Sequence, residues 1–368
     1  MESYSMNKQW AEALNRDSNS ASDSKSPLSG FVASLQAYGN SGNVEISDLS
    51  SYNIYEISGS DASDFLQGQF CNDLAIASPT QAQISGYCTP KGRLLALPTI
   101  VGFDAGYRLI VPTDVAEAFV KRLSMFIMRS DVTVKHLDDW VALGISAASS
   151  GSLEPLADKL EQLPTGKLAL SSTESAQLIR WHDSHLHRSS GERYLRIAKV
   201  DDQLALWQSV DDEHRHSEHT WRLADISSGI PTITQGVVEA FVPQMINLQL
   251  IDALSFTKGC YPGQEIVARM QYLGKLKRHM CIFRVQLGIQ ADNIDDLLLP
   301  GGSLSAGSDE NAGVIVDAMP ESDSSALVLA VVKVASETNS FTLAGKTLEP
   351  VSMPYEMASI DDTAAVVD

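Results

Sequence analysis

Cysteine is scarce in this chain, and so are the metal-site patterns built on it. The 368 residues contain four cysteines, and no two of them form a C-x-x-C pair. This argues against a structural zinc site and against a ferredoxin-type cluster, so we expect no metal site. Scattered thiols in a chain of this length are typical of a reducing compartment.

Long apolar runs and positive charge are also in short supply. No window reaches the roughly eighteen apolar residues of a membrane span, and residues 1–15 lack a continuous apolar core. We therefore expect a cytoplasmic protein with no membrane partner. The 27 Lys and Arg against 46 Asp and Glu give a net charge of -19. This balance argues against direct tRNA binding.

Several common catalytic and nucleotide-binding motifs are missing. The chain has no G-x-G-x-x-G, Walker or G-x-S-x-G pattern, which argues against dinucleotide, P-loop and serine-hydrolase sites. Two histidine clusters stand in polar runs without a framing helix or strand. We interpret them as surface residues rather than metal ligands. They comprise His182, His185, His187, His214, His216 and His219.

Composition predicts a division into domains. Residues 16–30 are rich in Ser and Asp, so we expect 1–42 to be a flexible N-terminal extension with a short helix around Gln9–Leu14. Helix and strand patterns alternate through 43–145 and 146–280, which indicates two mixed α/β domains. Short strands over 281–354 predict a small β-barrel or sandwich, and 355–368 a tail.

Hydrophobic periodicity predicts individual helices. Asp114–Met128 is amphipathic, with Phe119 and Phe126 on its apolar face. Leu153–Leu163 has a helical pattern, whereas 211–220 is a polar loop or helix surface.

The segment from Phe256 to Met280, FTKGCYPGQEIVARMQYLGKLKRHM, is the richest in chemistry. A turn at Tyr261–Gly263 precedes a helix that begins at Gln264, so Cys260 lies just before a helix N-terminus. The macrodipole there, aided by Lys258 and opposed by Glu265, favours a reactive thiolate. A small buried cysteine is the alternative.

This segment is also locally basic, in contrast to the rest of the chain. Its basic residues are Lys258, Arg269, Lys275, Lys277 and Arg278, against Glu265. Such a patch suits an anionic ligand, for which the glutamate tail of a folate, a phosphate and an RNA backbone are candidates. A solvated surface is the alternative.

The octapeptide Lys258-Gly259-Cys260-Tyr261-Pro262-Gly263-Gln264-Glu265 resembles the K-G-C-Y-x-G-Q-E signature of the YgfZ family, which is related to the glycine-cleavage aminomethyltransferase. The resemblance continues at Arg269, at Phe241–Gln244 upstream, and at Lys91–Arg93 near the front. It covers about 44–352. It implies an α+β fold of the three-domain aminomethyltransferase type, with mixed α/β domains and a C-terminal small β-barrel.

The resemblance further implies a ligand and a role. It implies folate, as tetrahydrofolate or a derivative, in a first domain at 43–145, with Tyr52 and Trp221 at the folate-contacting aromatic positions and Cys260 as the functional thiol. It implies a part in assembling or repairing iron–sulfur clusters, and thereby in tRNA modification. Client enzymes or assembly proteins would be the partners, and Lys275, Lys277 and Arg278 would meet the folate tail or such a partner.

One departure bears on catalysis. The true aminomethyltransferases carry acidic residues after the Gly92 turn, where this chain has Leu94-Leu95-Ala96-Leu97. No carboxylate stands there to handle the proton and the amine of an aminomethyl group. We therefore expect folate binding without that transfer. The alternatives are a folate-dependent aminomethyl or one-carbon transferase and, third, a pure RNA-binding module.

Overall fold

A computed structural model describes residues 7–14, 44–184, 191–273, 276–287, 294–337 and 339–357. The chain forms two compact units that alternate along the sequence. Unit 1 comprises Met1–Ser63, Ala75–Gln83 and Thr99–Ala224. Unit 2 comprises Asp64–Leu74, Ile84–Pro98 and Asp225–Asp368.

The regular elements are numbered in chain order. The helices are α1 Lys8–Ala13, α2 Ala62–Gln67, α3 Thr113–Ser124, α4 Val200–Gln208, α5 Glu218–Ser227, α6 Gln264–Leu273 and α7 Ile294–Leu297. The strands are β1 Glu45–Asp48, β2 Tyr52–Ser58, β3 Gln83–Ile84, β4 Tyr87–Cys88, β5 Leu94–Ala96, β6 Thr99–Phe103, β7 Gly106–Pro112, β8 Thr133–His136, β9 Trp140–Ala147, β10 Leu170–Ser172, β11 Ala176–Arg180, β12 Glu192–Lys199, β13 Arg215–His216, β14 Arg278–Gln286, β15 Ser303–Ala306, β16 Asp309–Pro320, β17 Ser325–Lys333, β18 Phe341–Leu343 and β19 Lys346–Val351.

Unit 1 contains two sheets. One has the strand order β10-β11-β12-β9-β1-β13, and the other has the order β3-β6-β7-β2-β8. Helix α3 buries Val115, Phe119 and Leu123, with Asp114 in its first turn and Lys121 and Arg122 in its last, as the helix dipole favours.

In unit 2, six strands close into a barrel in the order β14-β17-β16-β15-β18-β19. This confirms the predicted C-terminal β-barrel. Strand β17 is buried from Ser325 to Val332. Closing a sheet pairs the strands that would otherwise be edges, so the backbone of each has partners on both sides.

The short helix predicted in the N-terminal extension is confirmed at Lys8–Ala13, but the expectation that this helix is part of a flexible segment is wrong. Helix α1 is capped by the Asn7 side chain, and Trp10 on it is fully buried in unit 1. The Trp10 indole donates a hydrogen bond of 2.9 Å to Asp48, and its ring meets that of Trp207 at 5.5 Å between centroids. A polar stretch follows this helix, so local composition did not reveal its burial. Residues 1–6 and 15–42 of the predicted extension lie outside the described residues.

Other local predictions need correction as well. Helix α3 ends at Ser124, which leaves Phe126 41% exposed rather than in the core. The predicted helix Leu153–Leu163 is a short 3-10 helix, Ser150–Leu156, that contains Pro155. Residues 211–220 include β13 and the beginning of α5, while helix α4 was not predicted.

The histidines of the second cluster are not surface residues. His219 is 2% exposed, and His214 and His216 both contact the carboxylate of Glu45, at 3.2 and 2.5 Å. The parallel pairing of β1 with β13 brings the strands together. His185 and His187 of the first cluster lie outside the described residues.

The predicted tail is fixed at its beginning. The Tyr355 hydroxyl donates a hydrogen bond of 3.0 Å to the carbonyl of Gly229 in unit 2. Residues 358–368 fall beyond the described ranges. Within those ranges no helix has the length and apolar character needed to cross a membrane.

Candidate functional site

The signature segment of unit 2 turns sharply before α6. Gly263 has φ +87, and a Cβ there would lie 2.5 Å from the Thr89 carbonyl oxygen and 2.6 Å from Cα of Gly92. Gly92 itself has φ +71 and faces Ile266. The two glycine turns that carry the family resemblance therefore pack against each other, and only glycine fits at Gly263.

Lys258 is a structural clamp rather than a partner for Cys260. It is 7% exposed, and its ammonium donates to the carbonyls of Gln67, Phe70 and Asn72 at 2.7, 2.6 and 2.9 Å. Gln67 is the last residue of α2, so Lys258 satisfies a carbonyl that the helix leaves unpaired. Burial lowers the pKa of Lys258 to about 8. The expected support of Cys260 by this lysine is thus corrected, because its charge faces α2.

Further hydrogen bonds brace the loop from behind. Arg93 Nη1 donates to the Ala240 carbonyl at 2.7 Å, and the Leu94 amide donates to the Phe241 carbonyl at 2.9 Å. The Gln244 side chain, 2% exposed, donates to the Val267 carbonyl on α6 at 2.7 Å. These contacts join the segments around 91–94 and 240–244 to the signature helix.

Cys260 stands on this braced loop with its side chain exposed. Neighbouring Gly259 is also open, since a Cβ there would meet nothing within 4 Å. Tyr261, which follows, is buried and anchors the turn. An exposed thiol beside a fixed backbone is accessible to a macromolecular partner.

The other three cysteines differ from Cys260. Cys71 and Cys88 are buried, and Cys281 is half-buried. Burial acts to raise the pKa of Cys71, but the Cys88 thiol, the Gly86 N–H and the Lys258 ammonium together hold that pKa below its ordinary value. Burial and the Glu337 carboxylate raise the pKa of Cys281 to about 12. Sequence reasoning missed these groupings because their members are separated along the chain.

The predicted basic patch is only partly described. Arg269 on α6 and Lys277 after it are exposed, whereas Arg278 at the beginning of β14 is half-buried. Glu265, the acid of the segment, is exposed on α6 as well. Lys275 lies outside the described residues.

The predicted aromatic residues belong to unit 1. Trp221 on α5 is 3% exposed, and the Arg193 guanidinium lies 3.9 Å from the centre of its ring. The ring also packs against Gly144 of β9, where a Cβ would come within 2.2 Å of it. Tyr52 is half-buried at the beginning of β2 and pairs with Pro112 of β7.

The stretch where aminomethyltransferases have acidic residues is apolar and packed. Leu94 and Ala96 on β5 are fully buried, and Leu97 is 8% exposed. Leu95 between them is half-buried, so it is at Leu94 and Ala96 that a carboxylate would bury a charge in an apolar environment. The local structure is thus adapted to aliphatic side chains.

The fold is that of the glycine-cleavage aminomethyltransferases. The structure of aminomethyltransferase T of the glycine cleavage system from Bartonella henselae is similar to this chain with a TM-score of 0.68. The similarity covers 89% of each chain at 15% sequence identity. This confirms the predicted α+β fold class. No protein-family model matches the sequence.

Sequence relatives define the family within that fold. The tRNA-modifying protein YgfZ of Colwellia psychrerythraea is 27% identical over 301 residues, which span 80% of this chain and 89% of the relative. The protein of the same name from Hamiltonella defensa is 30% identical over 234 residues, 62% of this chain and 67% of the relative. The chain belongs to the YgfZ family, as the signature predicted.

Proposed function

We propose that this protein is a cytoplasmic folate-binding factor that supports the assembly or repair of iron–sulfur clusters in client enzymes, and through them tRNA modification. The observation that carries the proposal is the exposed Cys260 on a loop braced by Lys258, Gly263 and Gln244. The relatives named tRNA-modifying proteins support the final step.

The chemistry of Cys260 suits iron–sulfur cargo. Thiolates are the soft ligands that iron in such clusters prefers, and an exposed thiolate can also exchange with a sulfur atom on a partner. Because the backbone around Cys260 is fixed by hydrogen bonds, the thiol is presented in one position. The proposed partners are iron–sulfur enzymes or the proteins that load them.

Unit 1 contains a buried group that suits folate. Gln83 is 1% exposed, and neither its amide nitrogen nor its amide oxygen has a hydrogen-bond partner among the described residues. Buried polar groups are rarely left unpaired without a ligand or water. A pterin ring offers an amide-like edge with a donor beside an acceptor, which complements the two atoms of Gln83. These two unpaired atoms are the observation in unit 1 that supports folate as the ligand, with Gln83 as a proposed contact.

Within this proposal Tyr52 and Trp221 contact the pterin. Tyr52 offers a half-buried ring, whereas Trp221 is 3% exposed and covered by Arg193, so only a small part of its ring is open for contact. Bound tetrahydrofolate carries one-carbon units on its reduced pterin. Separately, the exposed basic residues Lys277 and Arg269 of unit 2, with Lys275 and Arg278, are proposed to meet an anionic group of a protein partner.

A complementation experiment tests the role of Cys260. Wild type and Cys260→Ala are expressed in a bacterium whose own family member has been deleted, and the activity of an iron–sulfur tRNA-modifying enzyme is measured. We expect wild type and the control Thr257→Ala, exposed on the same loop, to restore activity, and Cys260→Ala to fail while folding normally. Full restoration by Cys260→Ala would refute the thiol's role.

Calorimetric titration with tetrahydrofolate tests the ligand. We expect wild type to bind, Trp221→Phe and Tyr52→Ala to bind more weakly, and Trp207→Phe, a buried tryptophan packed on α1, to bind like wild type. Gln83→Leu gives two readouts, because it removes an unpaired buried amide: the ligand-free protein gains stability and folate binding weakens. Unchanged folate affinity in this variant would remove Gln83 from the site.

The second candidate is a folate-dependent aminomethyl or one-carbon transferase, favoured by the shared fold. The aliphatic stretch Leu94–Leu97 opposes it. Incubation of the purified protein with tetrahydrofolate and an aminomethyl donor should give no methylenetetrahydrofolate. Its formation would establish the transferase instead.

A further inference from the structure

Three side chains with metal-binding atoms converge at one end of the barrel in unit 2. His279 and Cys281 are two residues apart on β14, so they lie on the same face of that strand. Met280 and Ile282, which alternate with them, are buried. Glu337 follows a short 3-10 helix, Val334–Ser336, after β17.

Backbone hydrogen bonds hold the three residues together. Strand β14 pairs with β17, with Cys281 opposite Ala330, and the Val334 amide donates to the Lys277 carbonyl at 3.1 Å. The turn that carries Glu337 is thereby held beside the beginning of β14. The site is part of the barrel rather than of a free loop.

The ligand atoms are close enough to share an ion. One nitrogen of His279, the Cys281 sulfur and one Glu337 oxygen all lie within 4.8 Å of one another. His279 Nε2 lies 2.5 Å from Glu337 Oε1. The His279 side chain is 14% exposed and that of Glu337 37%, so the group is open to solvent on the Glu337 side.

We propose that His279, Cys281 and Glu337 form a binding site for a divalent transition-metal ion, of which zinc suits the donors best. Imidazole nitrogen, thiolate sulfur and carboxylate oxygen are the three zinc ligands of proteins, and three of them leave a fourth tetrahedral position for water or an exogenous ligand. Binding forms a metal–sulfur bond, and the thiol proton passes to solvent. The site is independent of folate binding and of Cys260.

No local sequence pattern indicated this site. Its two strand residues form an H-x-C pair, not a C-x-x-C pair, and Glu337 lies far along the chain. Only the pairing of β14 with β17 brings the three groups together. The expectation of no metal site rested on local spacing alone.

Cobalt titration tests the proposal on the full chain after treatment with a chelator. Co²⁺ replaces zinc at tetrahedral sites and shows a sulfur-to-cobalt charge-transfer band when a thiolate binds it. We expect one equivalent of Co²⁺ to produce this band, Zn²⁺ to abolish it, and Cys281→Ser to lack it. Cys260→Ser, which removes the exposed thiol, should retain the band and so serves as the matched control.

A second variant distinguishes loss of a metal ligand from loss of the folded structure. Glu337 is more than a third exposed, so Glu337→Gln should fold. Loss of a residue that merely hydrogen-bonds to a metal ligand weakens metal binding ~10-fold or more, so loss of the ligand Glu337 should weaken Co²⁺ binding by at least that factor. Zn²⁺ should raise the Tm of wild type more than that of Glu337→Gln. The absence of a thiolate band in wild type, a band that persists in Cys281→Ser, or equal affinity in wild type and folded Glu337→Gln would overturn the proposal.

Discussion

Replacing Lys258 by methionine should destabilise unit 2 without touching an exposed surface. Methionine keeps the apolar stem of the side chain but removes the ammonium that donates to three carbonyls at 2.6 to 2.9 Å. Those carbonyls lie at and just beyond the end of α2, and solvent cannot readily replace the donor because Lys258 is 7% exposed.

The magnitude follows from two opposing contributions. Hydrogen bonds from a charged donor are worth about 1.5 to 3 kcal/mol each, so the low end of that range gives about 4.5 kcal/mol for the three bonds together. Removing the ammonium also removes the cost of burying it, a cost reflected in a pKa lowered to about 8. We expect a net loss of about 2 to 3 kcal/mol in the free energy of unfolding.

Urea denaturation followed by circular dichroism measures this loss. Lys277→Met is the matched control, since Lys277 is an exposed lysine of the same segment and its replacement should change stability by less than about 0.5 kcal/mol. If Lys258→Met loses no more free energy of unfolding than the control, the structural role of Lys258 is refuted. Lys258 would then have to act through the chemistry of the loop.

Three further predictions concern other parts of the molecule. Gly263→Ala should lower the free energy of unfolding by at least about 2 kcal/mol because of the positive φ and the contact with Thr89, whereas Gly259→Ala should leave it nearly unchanged. Equal urea midpoints for the two variants would contradict the packing of the two glycine turns. Trp10→Ala should lower stability by about 3 to 5 kcal/mol in thermal or urea unfolding, because it empties a core position; a change near zero would mean that α1 does not contribute to the fold. Burial, with Lys167, Arg193 and Arg180 nearby, lowers the pKa of His182 to about 3, so the unfolded chain takes up a proton first as the pH falls. The stability that neutral His182 contributes is complete above about pH 6.5 and is lost toward pH 3, with about 2 kcal/mol lost between pH 7 and 5. Urea denaturation at pH 7 and pH 5 should therefore show a smaller difference in the free energy of unfolding for His182→Gln than for wild type. An equal difference in the two proteins would assign the pH dependence to other residues.

Local patterns predicted those elements whose burial is local. Helix α3 was predicted from its apolar face, and the C-terminal strands from their spacing. Helix α1 was predicted as a short helix, but its burial was not. Its sequence is followed by a polar stretch, and what fixes it is a tryptophan packed against Trp207 and bonded to Asp48, both distant in sequence.

The same distinction holds for the candidate site. The signature around Cys260 was legible in the sequence, but the role of Lys258 was not, because its acceptors lie 186 to 191 residues away. Likewise Trp221 was predicted as a folate contact, and only the fold shows that Arg193 covers its ring. The roles of Cys260, Tyr52 and Trp221 toward their ligands stay predictions.

By itself, the sequence determined the family, the fold class and the C-terminal barrel, because a contiguous signature and period-two strands are properties of neighbouring residues. The tertiary structure alone decided which side chains are free to react. In the folded chain Lys258 hydrogen-bonds to carbonyls at and beyond the end of α2, and Cys260 is exposed. The fold also places the metal-binding atoms of His279, Cys281 and Glu337 within 4.8 Å of one another. Exposure and long-range contact depend on how strands pair and helices pack, which no local pattern specifies.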